Sequence, residues 1–415
     1  MPTGERAADR SGAEFLAASA GFELLGEGLG ADVESALRTA LAGGAVFPTT
    51  ADPLAIFRES LAASIRSIES HPRGRLFQDF LSKGPYEREG EIPAALRGER
   101  LSDEETAAAI RFILSHMVNS FKGSVTEMLA TAPCLTVLKQ LRRSGELPEE
   151  TRLYVGDAVR AHRLRGKGLA KAADMHFLTG PCQQAESAGV AVVGVVEVKS
   201  YLQSEDRLHA QLDRHLRCAG RGLRVCGVDF PVGRARVGLG KKLRVARIAV
   251  LPAGWALPRT FRFEPSEEGR SLRVDPAAPP CPADRMERTA ENEWRITLRW
   301  SEEALAAAAY EMTFWYMARV GEFIYSRGVP EGWPEMTPAE AGHNAAKMML
   351  YYAIIRSRTV REEQRAIALY NSYGFGYALG MSFRDARRRR EMLWPEDLDE
   401  ILAAGRTKSG CRIWG

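Results

Sequence analysis

The chain has 415 residues, 45% of them apolar and 27% charged, which excludes wholesale disorder and gives enough apolar material for two or three packed units. Its net charge of +4 is small, so a surface for a polyanion has to come from cations gathered on one face rather than from the total. The six cysteines show no CxxC or Cys/His spacing, which argues against a disulfide framework and a structural zinc, and no charge-free stretch reaches the roughly eighteen residues of a membrane span.

Residues 1–100 read as a helical N-terminal region. Met1 to Ala13 is polar, without the apolar core of a leader, so a cytoplasmic location with no membrane association is expected. Ala31 to Leu41, Pro53 to Glu69 and Arg75 to Leu81 carry apolar residues at three- and four-residue spacing, broken by Gly and Pro. Ser102 with Glu105 forms a capping box that opens a helix from Asp103 to about Leu129, with Glu127 near its end.

From Leu153 the pattern becomes strand-like: Leu153 to Val155, Ala172 to Leu178, Val190 to Val198, Leu223 to Phe230, Leu243 to Leu251 and Thr260 to Phe263. A helix from Glu205 to Arg217, capped by Ser204, interrupts them, with Leu208, Leu212 and His215 or Leu216 on one face. Helix, three strands, helix and strand in this order predict an α/β unit over 101–300, a mixed central sheet flanked by helices. Glu264 to Asn292 reads as a loop or weak hairpin, and Arg295 to Arg299 as a last strand. Ser301 to Arg327 is a long, mostly apolar helix, and Thr337 to Glu340 forms a second capping box, so 301–415 reads as a helical C-terminal domain.

The chemistry is concentrated in Gly189 to Tyr201, an apolar run ending in Glu197-Val198-Lys199. Such a run is a strand buried on both faces, and strand alternation puts Glu197 and Lys199 on one face. Two ionised groups at the end of a core strand cost several kcal/mol in order of magnitude unless each finds a partner or a metal. Upstream, Lys171 to Leu178 looks like another core strand with a single carboxylate, Asp174. If the two strands pair, Asp174 faces Glu197, and carboxylates at close range call for a divalent cation between them.

Asp174 followed by Glu197-Val198-Lys199, in that order of elements, resembles the PD-(D/E)XK nuclease superfamily, with its restriction-endonuclease-like core. The resemblance covers roughly Ser102 to Phe263. It implies that Asp174 and Glu197 hold Mg2+ or Mn2+, that Lys199 positions the attacking water and offsets charge on the phosphate, and that Glu127 on the first core helix is a further acid able to hold a second ion. Gln211 with His215, one turn apart, resembles the family's Gln-x-x-x-Tyr position with His for Tyr, and Ala173 stands where the name-giving proline would be. The reaction implied is metal-assisted phosphodiester hydrolysis, on DNA rather than RNA, in restriction or phage defence. His176, His209 and Tyr201 are further candidates to touch substrate, set against ordinary structural roles.

Two basic clusters flank these residues. Arg160, Arg163, Arg165, Lys167 and Lys171 precede Asp174; Arg214, Arg217, Arg221, Arg224, Arg234, Arg236, Lys241, Lys242, Arg244 and Arg247 follow with a single acid, Asp229, among them from Arg214 to Arg247. Arg163, Arg165, Lys167, Lys171, Arg214, Lys241 and Lys242 are the expected phosphate contacts. Two other classes stay open: a non-catalytic nucleic-acid-binding module on the same fold, and an assembly component docking a second copy or a defence partner through Trp315, Tyr316, Met349, Tyr351 and Tyr352.

Overall fold

The computed structural model describes residues 13–26, 28–71, 116–162, 168–180, 189–200, 204–238, 245–253, 261–266, 269–274, 283–326 and 337. It is a mixed α/β structure: a seven-stranded sheet of parallel and antiparallel strands, a four-stranded sheet, a two-stranded hairpin and helices. Among the described residues no helix is long and apolar enough to cross a membrane.

Two N-terminal helices form where the periodicity predicts them. α1 (Leu29–Ala42) buries Leu29, Val33, Leu37 and Ala40 at helical spacing and stops at Gly43. α2 (Pro53–Ser70) starts with Asp52, whose carboxylate accepts from the Ala55 N–H, and has Pro53 at its first position, where the missing donor costs nothing. The stretch expected as a helix at Arg75 to Leu81 lies outside the described residues, as does the capping box at Ser102.

α3 (Val118–Arg143) runs about four turns beyond the expected end near Leu129, straight through Pro133. A proline inside a helix removes one hydrogen bond and costs roughly 3 kcal/mol. Beyond it α3 buries Cys134, Leu135, Val137, Leu138 and Leu141, each contributing on the order of 1.5–3 kcal/mol for the larger aliphatics. Tertiary burial therefore outweighs the local penalty.

The large sheet begins with β1 (Arg152–Val155), antiparallel to β4 (Met175–Thr179), which is antiparallel to β5 (Val190–Val198). β9 (Ala246–Ala253) runs parallel to β5, and β13 (Glu293–Ser301) parallel to β9, with β12 (Arg285–Ala290) on its far side. The short β8 (Ala235–Val237) pairs with the first residues of β5. The expected strand from Ala172 to Leu178 starts three residues late, at Met175, so Asp174 falls just before it. Leu169–Lys171 forms β3, which belongs with β2 (Val159–His162), β6 (Gly222–Val225) and β7 (Val228–Pro231) in the four-stranded sheet, and 172–174 bridge the two sheets.

The run Leu223 to Phe230 is also two strands rather than one. Cys226 and Gly227 both take positive φ, 47° and 86°, and form the two-residue turn of the β6–β7 hairpin. Cysteine seldom adopts that conformation, so the turn had no usual sequence mark. Within Glu264 to Asn292, β10 (Phe261–Ser266) pairs with β11 (Gly269–Val274), and β12 joins the main sheet.

Two apolar clusters lie on the two sides of the main sheet. One combines α1, α2, α3 and α5 (Glu302–Ser326) with Met175, Phe177, Val196, Val198, Ile248 and Ile296. The other joins α4 (Glu205–Ala219) and the four-stranded sheet to Val192, Val195 and Ala249. Tyr316 is fully buried in the first, and its hydroxyl donates to Glu69 at 3.2 Å, so it is core and not a docking residue. Trp315 is half-buried; Met349, Tyr351 and Tyr352 lie outside the described residues.

Candidate functional site

The charged end of β5 is placed by a bulge. In the β4–β5 ladder Phe177 pairs with Gly194 but Leu178 pairs with Val192, so β5 carries one extra residue. Before the bulge Val190 and Val192 face α4; after it Val195 does, while Val196 and Val198 face α3. Glu197 therefore projects on the α4 side. Unbroken alternation would have put it on the same side as Ala191 and Val193, toward α3.

Met175 pairs with Val196, so Asp174, one residue before β4, stands at the position facing Glu197. Asp174 Oδ2 accepts from the Val198 N–H at 2.8 Å, which locks this end of the ladder. On the other side, the Lys199 N–H donates to the Val250 carbonyl at 2.9 Å.

Around Glu197 the side chains close in. Lys199 Nζ donates to Glu197 Oε1 at 2.5 Å, and His215 Nε2 on α4 is 3.0 Å from Glu197 Oε2. That last contact is within ion-pair range but not in hydrogen-bonding geometry, and both atoms are buried with no hydrogen-bond partner. Asp174, Glu197 and His215 are all buried. α4 brings His215 there because Leu208, Leu212 and His215 share its inner face, as the sequence pattern predicts. Ser204 sits at the N-cap as expected, but its side chain makes no capping bond.

His176 is fully buried beside this cluster, with neither ring nitrogen hydrogen-bonded. Burial first, and then the nearby His215 imidazole, lower its pKa to about 3, against an opposing pull from Asp174. The ring stays neutral in the fold, whereas in the unfolded chain it takes a proton below about pH 6.5. Between those values the unfolded state binds more protons, so stability falls as pH drops below 6.5, by about 1.4 kcal/mol per unit. In metal-free buffer, urea unfolding at pH 7 and pH 5 should therefore differ by roughly 2 kcal/mol. His176→Phe should remove most of that difference, and an unchanged difference in the variant would refute the assignment.

Of the other sequence-predicted residues, Gln211 is half-buried on α4 one turn before His215, and Arg214 is exposed on the same helix. Glu127 is half-buried on α3, which covers the opposite side of the sheet. Lys171 is in β3, its backbone paired with Arg160. Arg163, Arg165, Lys167, Tyr201, Lys241 and Lys242 lie outside the described residues. His209 is exposed, 3.8 Å from Glu293.

Two acids from outside the second basic stretch reach Arg247, and Arg224 holds the acid within it. Arg247 pairs with Asp213 at 2.6 Å and Glu293 at 3.4 Å, and Arg224 holds Asp229 through two bonds of 2.8 and 2.7 Å. Among the described residues no set of three or more His, Cys, Asp or Glu is gathered as a metal-binding group. Comparisons with protein families, with curated proteins and with solved structures find no match to this chain.

Proposed function

We propose that the protein is a metal-dependent nuclease with a restriction-endonuclease-like core, hydrolysing phosphodiester bonds of DNA, with Asp174, Glu197 and Lys199 at its centre. The observation that carries this reading is the meeting of two acids and an ammonium at one sheet end: Asp174 faces Glu197, and Lys199 Nζ is 2.5 Å from Glu197 Oε1. The order of elements supports it: with the four-stranded sheet and the short β8 set aside, α3, β1, β4, β5, α4 and β9 run helix, three strands, helix, strand, with the last strand parallel to the third.

The donor chemistry fits a divalent cation. Glu197 Oε2 is buried without a hydrogen bond, a costly state for a carboxylate, and Mg2+ or Mn2+ needs only one or two protein carboxylates beside water and phosphate oxygens. Asp174 and Glu197 would hold such an ion, which supplies Lewis-acid polarisation of the phosphoryl group and a more acidic bound water.

The protein's own groups do the rest. Lys199, fixed on Glu197, sets an ammonium where negative charge grows on the phosphate, and low-dielectric surroundings strengthen that attraction. The Val198 N–H orients Asp174. Gln211, one turn before His215, and the exposed Arg214 on the same helix would contact substrate. Restriction or phage defence is the setting that the family resemblance suggests.

One observation favours the second reading, a nucleic-acid-binding module without catalysis: Glu197 is only 3% exposed and already paired with Lys199. Incubation of the full chain with plasmid, linear duplex, single-stranded DNA and RNA in Mg2+ or Mn2+ decides between them. Cleavage is expected, stopped by EDTA, with DNA cut faster than RNA. Lys199→Met should lower the rate about 100-fold. Tight binding by wild type without cleavage selects the second reading, and neither binding nor cleavage overturns both.

A further inference from the structure

Glu197 Oε2 and His215 Nε2 are buried neighbours that do not bond to each other. They are 3.0 Å apart, each side chain under a tenth exposed, and neither atom has a hydrogen-bond partner. Two polar atoms so close would ordinarily form a charge-assisted hydrogen bond, because leaving both unsatisfied costs on the order of 1–3 kcal/mol each. Their separation, without a bond between them, fits two donors to a shared third atom. Ligands at right angles on one cation, with metal–donor distances of about 2.1 Å, stand about 3.0 Å apart.

We propose that His215 Nε2 and Glu197 Oε2 are adjacent ligands of one divalent cation, and that the imidazole makes the site prefer a transition ion such as Mn2+, Co2+ or Zn2+ over Mg2+. The inference rests on the nuclease reading only for the ligands that complete the shell. Lys199 occupies Glu197 Oε1, so Glu197 bridges the ammonium and the ion with one oxygen to each. Among the described residues no set of three or more His, Cys, Asp or Glu is already gathered, so the nuclease reading supplies the rest of the shell: Asp174, drawn in from its position opposite Glu197, with water and a substrate phosphate oxygen. Mg2+ selects oxygen ligands and keeps its waters, whereas imidazole nitrogen suits the borderline first-row ions. A second imidazole, His176, lies in the same buried layer with both nitrogens unbonded, so two imidazoles stand beside the two carboxylates at this end of the sheet.

The test uses the full chain stripped of metal by EDTA and returned to buffer. Calorimetric titration with Co2+, Mn2+ and Mg2+ is expected to show Co2+ bound at least 100-fold more tightly than Mg2+. His215→Gln should weaken Co2+ at least tenfold and leave Mg2+ within threefold, while Glu197→Gln weakens both. Pulsed electron paramagnetic resonance of the Mn2+-loaded wild type, which needs no variant to fold, should show coupling to a ring nitrogen. Equal affinities for Co2+ and Mg2+, or no nitrogen coupling, overturns the proposal. Nitrogen-coupled binding without cleavage of any nucleic acid sustains it and removes the nuclease reading; Mg2+-supported cleavage with no nitrogen coupling does the reverse.

Discussion

Lys122→Met is expected to lower the unfolding free energy by about 3–5 kcal/mol, the usual cost of removing one partner from a buried ion pair. Lys122 Nζ and Glu302 Oε1 are 3.0 Å apart, with side chains 3% and 8% exposed. The pair ties α3 to the first residue of α5, whose N-terminus is capped by Ser301 Oγ accepting from the Ala304 N–H at 3.2 Å. Loss of the ammonium takes the paired cation away from a buried carboxylate, and the folded state must protonate the acid or admit water. Glu302→Leu alone should cost a similar amount. The double variant Lys122→Met with Glu302→Leu should regain most of the loss, because apolar groups of similar volume often replace a buried pair without penalty. Urea unfolding of the four proteins reads this directly, and a double variant no better than the sum of the singles shows that the two charges do not act as a pair.

Gly194→Val is expected to cost about 3 kcal/mol, at the upper end of overpacking effects. A Cβ at position 194 would lie 2.7 Å from Phe177 Cδ2, 3.0 Å from Cγ and 3.1 Å from Cβ. Phe177 is fully buried, so the ring has no open space to enter. The bulge at Val193 and Gly194 also sets which side of β5 carries Glu197, and straining it moves the acid relative to His215 and Asp174. The thermal midpoint should therefore fall, and with it the cation affinity proposed for Glu197 and His215. A variant as stable as wild type would mean that Gly194 and Phe177 are not pressed together as described.

The long periodic segments were legible from the sequence. α1, α2 and α4 fall within two residues of their expected bounds, because an amphipathic stripe is a local code, begun in α2 by the Asp52 cap and ended in α1 and α4 by Gly43 and Gly220. β5 was legible because seven apolar or small residues in a row, Val190 to Val196, admit only burial on both faces. Strand pairing across a short gap was enough to suggest that Asp174 faces Glu197. The limits were local signals outvoted by packing: Pro133 did not end α3, and Cys226-Gly227 made a turn that composition did not mark.

Charge balance was less legible still. Counting acids along the chain left the stretch from Arg214 to Arg247 with Asp229 alone, yet Asp213, just before that stretch, and Glu293 from β13 both reach Arg247. Ion pairing depends on distance in space, which a count along the chain does not measure.

The sequence by itself determined the mixed α/β class, helices α1, α2, α4 and α5 and the buried strand that ends in Glu-x-Lys, since each depends on neighbours within a few positions. Only the tertiary structure decided which face Glu197 points to, that His215 meets it, and that His176 lies buried beside them. The reason is that one extra residue in a strand reverses every side chain after it, and that reversal is fixed by the partner strand and the Phe177 ring, not by the local sequence.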